Sequence, residues 1–367
     1  MMDLMKITEI IKDKIEKNYS NDVAIFAYYG SYATDEATEN SDIDFFYIPK
    51  TEKSNALSIQ FIVDGIGIDL FPISWDRIAR IVSLDQPLTS VITKSKVLYA
   101  SSPEEKEKYF FLKERLEQLF SNENIDYMLS KSQDYLAEAC TNLFSVQQSN
   151  GTISDLKIEA SKLISNVMLA VGYLNGTYYK KGIGKAIQES FTLEKQPNDY
   201  KYLVDSLMKS TDIDKLGNDC ERLISNLRIL INDELKSNSQ KEPYETLFIG
   251  YYEELKSVIR KVINACDNND YYTAFFRAAT IQDETAQFIS KAENGVWYNA
   301  RSSYSDYKNA IEDLLEVDIM DNQNDLSMLK EKVLEFDTKL RRLLTEKNVE
   351  ILEFSSIEEF RAYYAGV

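Results

Sequence analysis

The prevailing spacing of apolar residues changes near residue 103. Before that point, helical spacing predicts an amphipathic helix at 4–18 and favours a further helix at 74–84. The other apolar residues of this part form short runs that end at glycine, proline or polar residues, which is the pattern of β-strands. After residue 103, apolar residues recur every three or four residues nearly to the end, as in amphipathic helices. The predicted strands are 23–29, 42–48, 58–63, 66–73 and 96–100. The sequence therefore predicts an α+β fold, with a small mixed β-sheet domain followed by a large all-α helical region.

A second change in composition divides the helical region. The polar stretch SNSQKEP, residues 237–243, contains a proline and interrupts the helical pattern. A chain of 367 residues is long enough for two or three domains, since one domain takes roughly 100 to 200 residues. We predict three domains, at 1–103, 104–240 and 241–367. Near the end of the chain, 349–354 reads as a strand and 356–364 as a helix.

The chain contains no histidine. This excludes Ser-His-Asp and Cys-His nucleophile systems, His-ligated zinc and histidine proton shuttles. Catalysis by this chain would have to use carboxylates, hydroxyls, lysines or a bound metal.

The net charge of −18 indicates which partners the chain can bind. An acidic surface repels the phosphate backbone of nucleic acids and favours cationic molecules, although acidic helical surfaces also serve solubility. No apolar run approaches the roughly 18 to 20 residues of a membrane span. We therefore expect a cytoplasmic protein with a small-molecule substrate and no nucleic-acid or membrane partner. The oligomeric state is not predicted.

Two aspartates at the start of one predicted strand carry the strongest chemical signal. Residues two apart on a strand project from the same face, so Asp42 and Asp44 would present their carboxylates side by side while Ile43 enters the core. Such a pair of like charges is costly without a cation. It can bind two divalent ions about 3.5 to 4 Å apart, the geometry that phosphoryl and nucleotidyl transfer use. Mg²⁺ suits these oxygen ligands.

Two further features lie near this pair. Asp69 stands between apolar residues on another predicted strand, so its charge needs a partner there. If the two strands are neighbours, Asp69 is either a third metal ligand or the base that takes a proton from an attacking hydroxyl. Gly30 allows close backbone approach at a strand end, and Ser31 offers a hydroxyl and an amide to phosphate oxygens.

The segment between Gly30 and Pro49 contains five acidic residues and no lysine or arginine. A triphosphate would dock there only together with metal. The alternative interpretation has Gly30 as an ordinary strand-end glycine, Asp42 and Asp44 on the exposed face of an edge strand, and Asp69 paired with a lysine.

These residues resemble a known signature. The segments Gly30-Ser31, Ser41-Asp42-Ile43-Asp44-Phe45 and Ile68-Asp69-Leu70 are similar to the motifs of the DNA polymerase beta-like nucleotidyltransferase superfamily. A small catalytic domain followed by helices further resembles the aminoglycoside and lincosamide antibiotic nucleotidyltransferases, which confer antibiotic resistance.

The resemblance implies Mg²⁺, with two ions, and ATP or another nucleoside triphosphate as co-substrate. It implies transfer of a nucleoside monophosphate to a hydroxyl with loss of pyrophosphate. Gly30, Ser31 and Ser41 would then bind the nucleotide, and Asp42, Asp44 and Asp69 would be the catalytic, metal-binding carboxylates. Relatives often have arginine where this chain has Tyr32, and glycine where it has Asp35, so the loop is less cationic and is shaped differently.

A fourth candidate nucleotide-binding residue is Lys185, in the stretch YLNGTYYKKGIGK of residues 173–185. Three tyrosines and three lysines around a turn would suit a surface that faces the nucleotide or substrate. The alternative is a helix end capped by glycine, with solvated lysines.

Three functions are compatible with these features. The first is adenylyl transfer from ATP to a small hydroxyl-bearing molecule, with a cationic aminoglycoside as the suggested acceptor. The second is nucleotidyl transfer to a protein partner, as in antitoxin members of the superfamily. The third is a non-catalytic, nucleotide-binding scaffold.

Overall fold

The structure is a computed structural model that describes residues 4–34, 37–38, 41, 43–299, 302–321 and 325–366. The chain forms two compact units, residues 1–231 and 232–367. Among the helices of the described residues, none is long and apolar enough to cross a membrane.

In the described part of the chain, five strands form one mixed sheet in the order β3-β4-β2-β1-β5. Strands β2 and β4 are parallel, and the other neighbouring pairs are antiparallel. The strands are β1 Val23–Tyr29, β2 Ile43–Pro49, β3 Ile59–Val63, β4 Ile66–Pro72 and β5 Lys96–Ala100. The predicted small mixed sheet is confirmed.

A two-residue turn joins β3 to β4. Val63 is paired with Ile66, and the turn residues Asp64 and Gly65 have φ angles of 51° and 81°. Positive φ at both central positions is the mark of a type I′ turn, whose twist matches that of the flanking strands. The turn sets the register that places β4 residues opposite those of β3.

Helices make up most of the remaining chain. The first unit contains α1 Leu4–Asn18, α2 Trp75–Val82, α3 Thr89–Thr93, α4 Pro103–Gln118, α5 Ile125–Gln148, α6 Ile153–Leu174, α7 Ile183–Ser190, α8 Tyr200–Lys209 and α9 Ile213–Asn238, which crosses the boundary. Capping serines fix the starts of α2 and α4. The Ser74 hydroxyl accepts a hydrogen bond from the Arg77 amide, and the Ser102 hydroxyl accepts one from the Glu105 amide. An α+β domain followed by a helical region is thus confirmed.

The sheet buries both faces because its strand residues alternate sides. One face, with Phe46 and Ile48, packs against Ile78 of α2 and Tyr109 of α4. The other face, with Phe45 and Tyr47, packs in the cluster that contains Ile15 of α1. The two cores hold β2 at the centre of the sheet, so its first residues are fixed in place.

The second unit is helical in its described residues. Its helices are α10 Tyr244–Leu247, α11 Tyr251–Asp267, α12 Tyr271–Asn294, α13 Asn309–Leu315, α14 Leu326–Glu346 and α15 Ile357–Tyr364. The predicted strand at 349–354 is wrong, since this segment has no regular structure. Ile351 packs on the helical core, and the Leu352 amide donates to Glu253 Oε1 at 2.6 Å, so helices satisfy it instead of a neighbouring strand.

Candidate active site

Two carboxylates lie opposite each other at one end of the sheet. Asp44 on β2 and Asp69 on β4 are paired in the parallel register. Neighbouring strands are about 4.8 Å apart, and paired residues project from the same face, so the two side chains are close neighbours. Both are half-buried, and they line an open cleft of about 490 Å³ together with Gln60 and Gly67. The carboxylates are therefore fixed by the sheet yet accessible to a ligand.

The residues beside each aspartate are buried in the core. Ile43 is 1% exposed, and Ile68 and Leu70 are each 2% exposed. Because side chains alternate along a strand, burying these apolar neighbours on one face directs Asp44 and Asp69 to the other. The prediction that Ile43 enters the core is confirmed.

Gln60 of β3 supports Asp69. It is paired with Asp69 in the antiparallel register, and its Nε2 donates a hydrogen bond to Asp69 Oδ1 at 2.8 Å. The amide is neutral, so it orients the carboxylate without neutralising its charge. This bond uses Oδ1, and Asp69 Oδ2 makes no hydrogen bond to another described residue.

Gly30, which follows the last residue of β1, lies beside Asp44. Its φ is +82°, and a methyl group at its Cα would lie 3.5 Å from Asp44 Oδ2. The chain then turns, with the Ala33 amide donating to the Gly30 carbonyl at 3.0 Å and the Thr34 hydroxyl to the same carbonyl at 3.4 Å. Half-buried Ser31 lies in this turn. Glycine at this position permits both the left-handed backbone and close approach to the carboxylate.

Aromatic rings form the layer beneath the carboxylates. Tyr29 is paired with Asp44 across β1 and β2. Its ring centre lies 6.2 Å from that of Phe46 and 6.1 Å, edge-on, from that of Phe71. Phe46 and Phe71 each follow the site aspartate of their strand by two residues, so they share its face. A packed apolar layer of this kind limits movement of the acidic groups above it.

Comparison with known proteins connects this geometry to a family. Residues 4–123 match the nucleotidyltransferase domain, and residues 136–236 match the KNTase C-terminal domain. This chain belongs to the nucleotidyltransferase superfamily. A solved nucleotidyltransferase-like protein from Exiguobacterium sibiricum 255-15 is 13% identical, with a TM-score of 0.39 over 62% of this chain and 76% of that one. No curated protein sequence matches the chain.

In this nucleotidyltransferase the predicted site residues are distributed as follows. The structure brings together Gly30, Asp44 and Asp69, whereas Asp42 lies outside the described residues. The Ser41 hydroxyl accepts from the Thr38 amide at 2.8 Å, which closes the loop before β2.

Lys185 lies on the first turn of α7, where it is exposed. Its side chain has no hydrogen bond or ion pair with another described residue, so nothing in the described chain fixes it near the carboxylates. Its proposed role in nucleotide binding stays a prediction.

The donor set fits a hard divalent cation. Asp44 and Asp69 offer carboxylate oxygens, which Mg²⁺ prefers, and two carboxylates held so close are stabilised by a cation between them. Among the described residues, which leave out Asp42, no group of three or more acidic, cysteine or histidine side chains is placed to hold a metal. The described pair is thus part of the carboxylate set that the sequence predicts.

Gln60 is the site residue that sequence reasoning missed. It stands nine residues before Asp69, on the other strand of the hairpin that turns at Asp64-Gly65, and no motif includes it. The signal was the hairpin itself: a two-residue turn at Asp64-Gly65 fixes the register so that Gln60 pairs with Asp69. Counting back from the turn would have placed an amide beside the carboxylate.

Proposed function

We propose that this nucleotidyltransferase moves AMP from ATP, with Mg²⁺, to a hydroxyl of a small molecule, and that an aminoglycoside is the first acceptor to test. The observation that carries the proposal is the register pairing of Asp44 and Asp69 beside Gly30, in a domain of the nucleotidyltransferase family.

Asp42, Asp44 and Asp69 would hold the divalent ions, and the closeness of Asp44 and Asp69 supports this assignment. Bound ions of this kind neutralise the triphosphate and stabilise the attacking and leaving oxygens of an in-line displacement. Gly30 and Ser31 would receive the triphosphate at the end of β1, where Ser31 would offer its hydroxyl and amide to phosphate oxygens. Gly30 also keeps the space beside Asp44 free of a side chain.

The reaction is balanced without any further reactant. The acceptor oxygen forms a bond to the α-phosphorus, the bond from that phosphorus to the oxygen bridging to the β-phosphorus breaks, and pyrophosphate leaves with the electron pair. The hydroxyl proton must pass to a base. Asp69 is suited to this role or to that of metal ligand, and the hydrogen bond from Gln60 leaves Asp69 Oδ2 available for either.

Two observations support a cationic acceptor. The helical segment 136–236 matches the KNTase C-terminal domain, that of the kanamycin nucleotidyltransferases, and the chain carries a net charge of −18. An acidic protein raises the local concentration of a polycation and speeds its encounter.

The proposal is tested with the purified full chain, MgCl₂ and α-³²P-labelled nucleoside triphosphates. Kanamycin, a lincosamide and a neutral polyol are offered as acceptors, and products are separated by thin-layer chromatography. We expect labelled kanamycin with ATP, none with Asp44→Asn, and none in EDTA. Transfer to a co-purified protein instead, or no binding of Mg-ATP in calorimetry, would replace the proposal with the protein-modifying or the scaffold function.

A further inference from the structure

A second cavity lies in the first unit and shares no residue with the carboxylate cleft. It has a volume of about 290 Å³, and its walls come from the start of α3, the second half of α6 and the segment that leads into α7. Small-molecule pockets begin near this size, at about 300 Å³. The cavity is therefore large enough for one compact organic molecule.

Buried contacts hold together part of the wall of this cavity. Met168, Tyr179 and Ala186 form a small buried cluster of their own. The Tyr179 hydroxyl donates to the Met168 carbonyl at 2.8 Å, and its ring fits against Gly172, where a methyl group would come within 2.9 Å of it. The segment after α6 is thereby fastened to the helix, and the cavity is a preformed space.

Aromatic rings make one wall suited to a flat ligand. Tyr173 and Tyr178 both line the cavity, and the Phe120 ring centre lies 6.2 Å from that of Tyr173 and 4.8 Å from that of Tyr178. Tyr135 continues the stack, at 5.4 Å from Tyr173. A planar ring inserted beside these side chains would gain offset or edge-on contacts, the preferred arrangements of aromatic pairs.

The uncharged polar side chains that line the cavity carry hydroxyls. Ser90 and Thr177 line it, and neither side chain makes a hydrogen bond to another described residue. Burial raises the pKa of Tyr173 and of Tyr179, so both phenols stay neutral at physiological pH. A ligand hydroxyl or carbonyl would find partners here that need no charge.

The charge of the lining argues against a polycation. The chain has 60 acidic residues, yet none of the described lining residues is one of them, and the charged residue among them is the exposed Lys181. An ammonium group placed in this cavity would lose water without gaining a carboxylate, which is costly. The cavity therefore excludes the kind of molecule that the acidic surface attracts.

We propose that this cavity is a binding site for an uncharged aromatic molecule that carries a hydroxyl or carbonyl group, and that it is not an aminoglycoside site. The flat apolar wall binds the ring, and Ser90 and Thr177 orient the polar group. Binding there requires neither nucleotide nor metal.

The test uses 2-naphthol, a fluorescent two-ring aromatic alcohol, titrated into the full chain without nucleotide or Mg²⁺. Ser165 lines the cavity from α6, and its hydroxyl bonds only within its own helix, to the Ser161 carbonyl at 2.9 Å. Ser165→Trp fills the space, and Ser161→Trp adds the same ring at an exposed position one turn earlier. We expect 1:1 binding that weakens at least tenfold in Ser165→Trp and is unchanged in Ser161→Trp.

Two further variants keep the test decisive if Ser165→Trp does not fold. Ser90→Phe fills the cavity from α3, and Thr177→Val removes one hydroxyl, which should weaken binding about three- to tenfold. Absence of 2-naphthol binding, binding that Ser165→Trp and Ser90→Phe leave intact, or kanamycin binding that these variants abolish would overturn the proposal. Failure of nucleotidyl transfer would not affect these readouts, so the two proposals are judged separately.

Discussion

Asp44 and Asp69 are paired in register across two parallel strands, although the whole of β3 and its hairpin lies between them in the chain. Parallel pairing brings both carboxylates to the same face at the same height, which a strand alone cannot do for residues so far apart. The antiparallel β3–β4 hairpin adds Gln60 to the same row. The site therefore depends on the sheet register as much as on residue type.

Neutralising either carboxylate should abolish transfer without unfolding the protein. Asp44→Asn and Asp69→Asn each remove one charge from a closely spaced pair, so we expect a fall in kcat of about 10²- to 10³-fold. Relief of repulsion should leave the metal-free Tm equal or slightly higher. We expect Mg²⁺ to raise the Tm of the native protein but not that of either variant, because the rise depends on binding to the folded state.

The matched control is Asp64→Asn, which removes a charge from the neighbouring turn, where asparagine tolerates the positive φ of 51°. It should keep both the activity and the Mg²⁺ response. Full activity in Asp44→Asn or Asp69→Asn would refute the metal assignment.

Alanine substitutions at Gly30 and Gly65 would distinguish the effect of backbone strain on stability from the effect of crowding in the site on activity. Both have φ near +80°, but a methyl group at Gly30 would lie 3.5 Å from Asp44 Oδ2, whereas one at Gly65 would have nothing within 4 Å. Each alanine variant should lose about 1 to 2 kcal/mol of unfolding free energy from the left-handed conformation. Gly30→Ala alone should also lose activity, by about tenfold, because the methyl group occupies ligand space beside the carboxylate.

Paired urea-unfolding and kinetic measurements on these two variants check the prediction. Equal activity in Gly30→Ala and Gly65→Ala would mean that the space beside Asp44 is not used by substrate or metal.

The sheet was predictable because each of its strands is short, apolar and bounded by a turn signal. Asp69 was expected beside the strand of Asp44 if the two strands were neighbours, and the register pairs these residues, while their catalytic and metal-binding roles stay a prediction. The helical region was harder. Periodicity alone does not show where α6 ends: it ends at Leu174, where the Asn175 side chain donates to the carbonyls of Val171 and Lys195. Glycines lie on both sides of the first residue of α7, and they weaken its helical signal in the sequence.

Cross-strand relationships explain what else was missed. The segment 349–354 has strand-forming residues, but a strand needs a neighbour, and pairing is decided by tertiary structure. Gln60 acquires its role only through the register of β3 and β4. Composition and periodicity describe one segment at a time, so they predict elements better than the pairs of residues that elements bring together.

The link between Asp85 and Lys131 should make the first unit less stable in acid. Lys131 Nζ donates to Asp85 Oδ1, and the Ser83 hydroxyl to Asp85 Oδ2, both at 2.7 Å. The pKa of Asp85 is lowered, mainly by the hydrogen bond from Lys131 and to a smaller extent by the hydrogen bond from Ser83. A lowered folded-state pKa contributes stability above the unfolded value of about 3.9, and this contribution is lost as pH falls through the folded pKa.

Asp85→Asn should therefore destabilise the first unit at pH 6.5 by about 1 kcal/mol. The effect is this small because the Asp85 side chain is 52% exposed and because Lys131 retains a second partner, Asp134, at 3.7 Å. The difference from the native protein should narrow below about pH 4. Asp205→Asn, which breaks the exposed pair with Lys201, should change stability by less than about 0.5 kcal/mol.

Urea unfolding in a Trp297→Phe background measures this, because Trp75 then reports on the first unit alone. A destabilisation that stays constant from pH 6.5 to 3.5 would show that packing, not the charge of Asp85, is responsible.

The hydrogen bond from Gln60 to Asp69 predicts that this amide positions the carboxylate for the reaction. Gln60→Met removes the donor without adding charge, and it should lower kcat about tenfold. Gln60→Glu also removes the donor and places a second carboxylate opposite Asp69, so repulsion between the like charges should lower kcat further than in Gln60→Met. Ser58→Glu is the matched control, because it adds the same charge at an exposed position two residues earlier. If Ser58→Glu lowered kcat as much as Gln60→Glu does, the effect would come from general surface charge, and Gln60 would have no specific role in positioning Asp69.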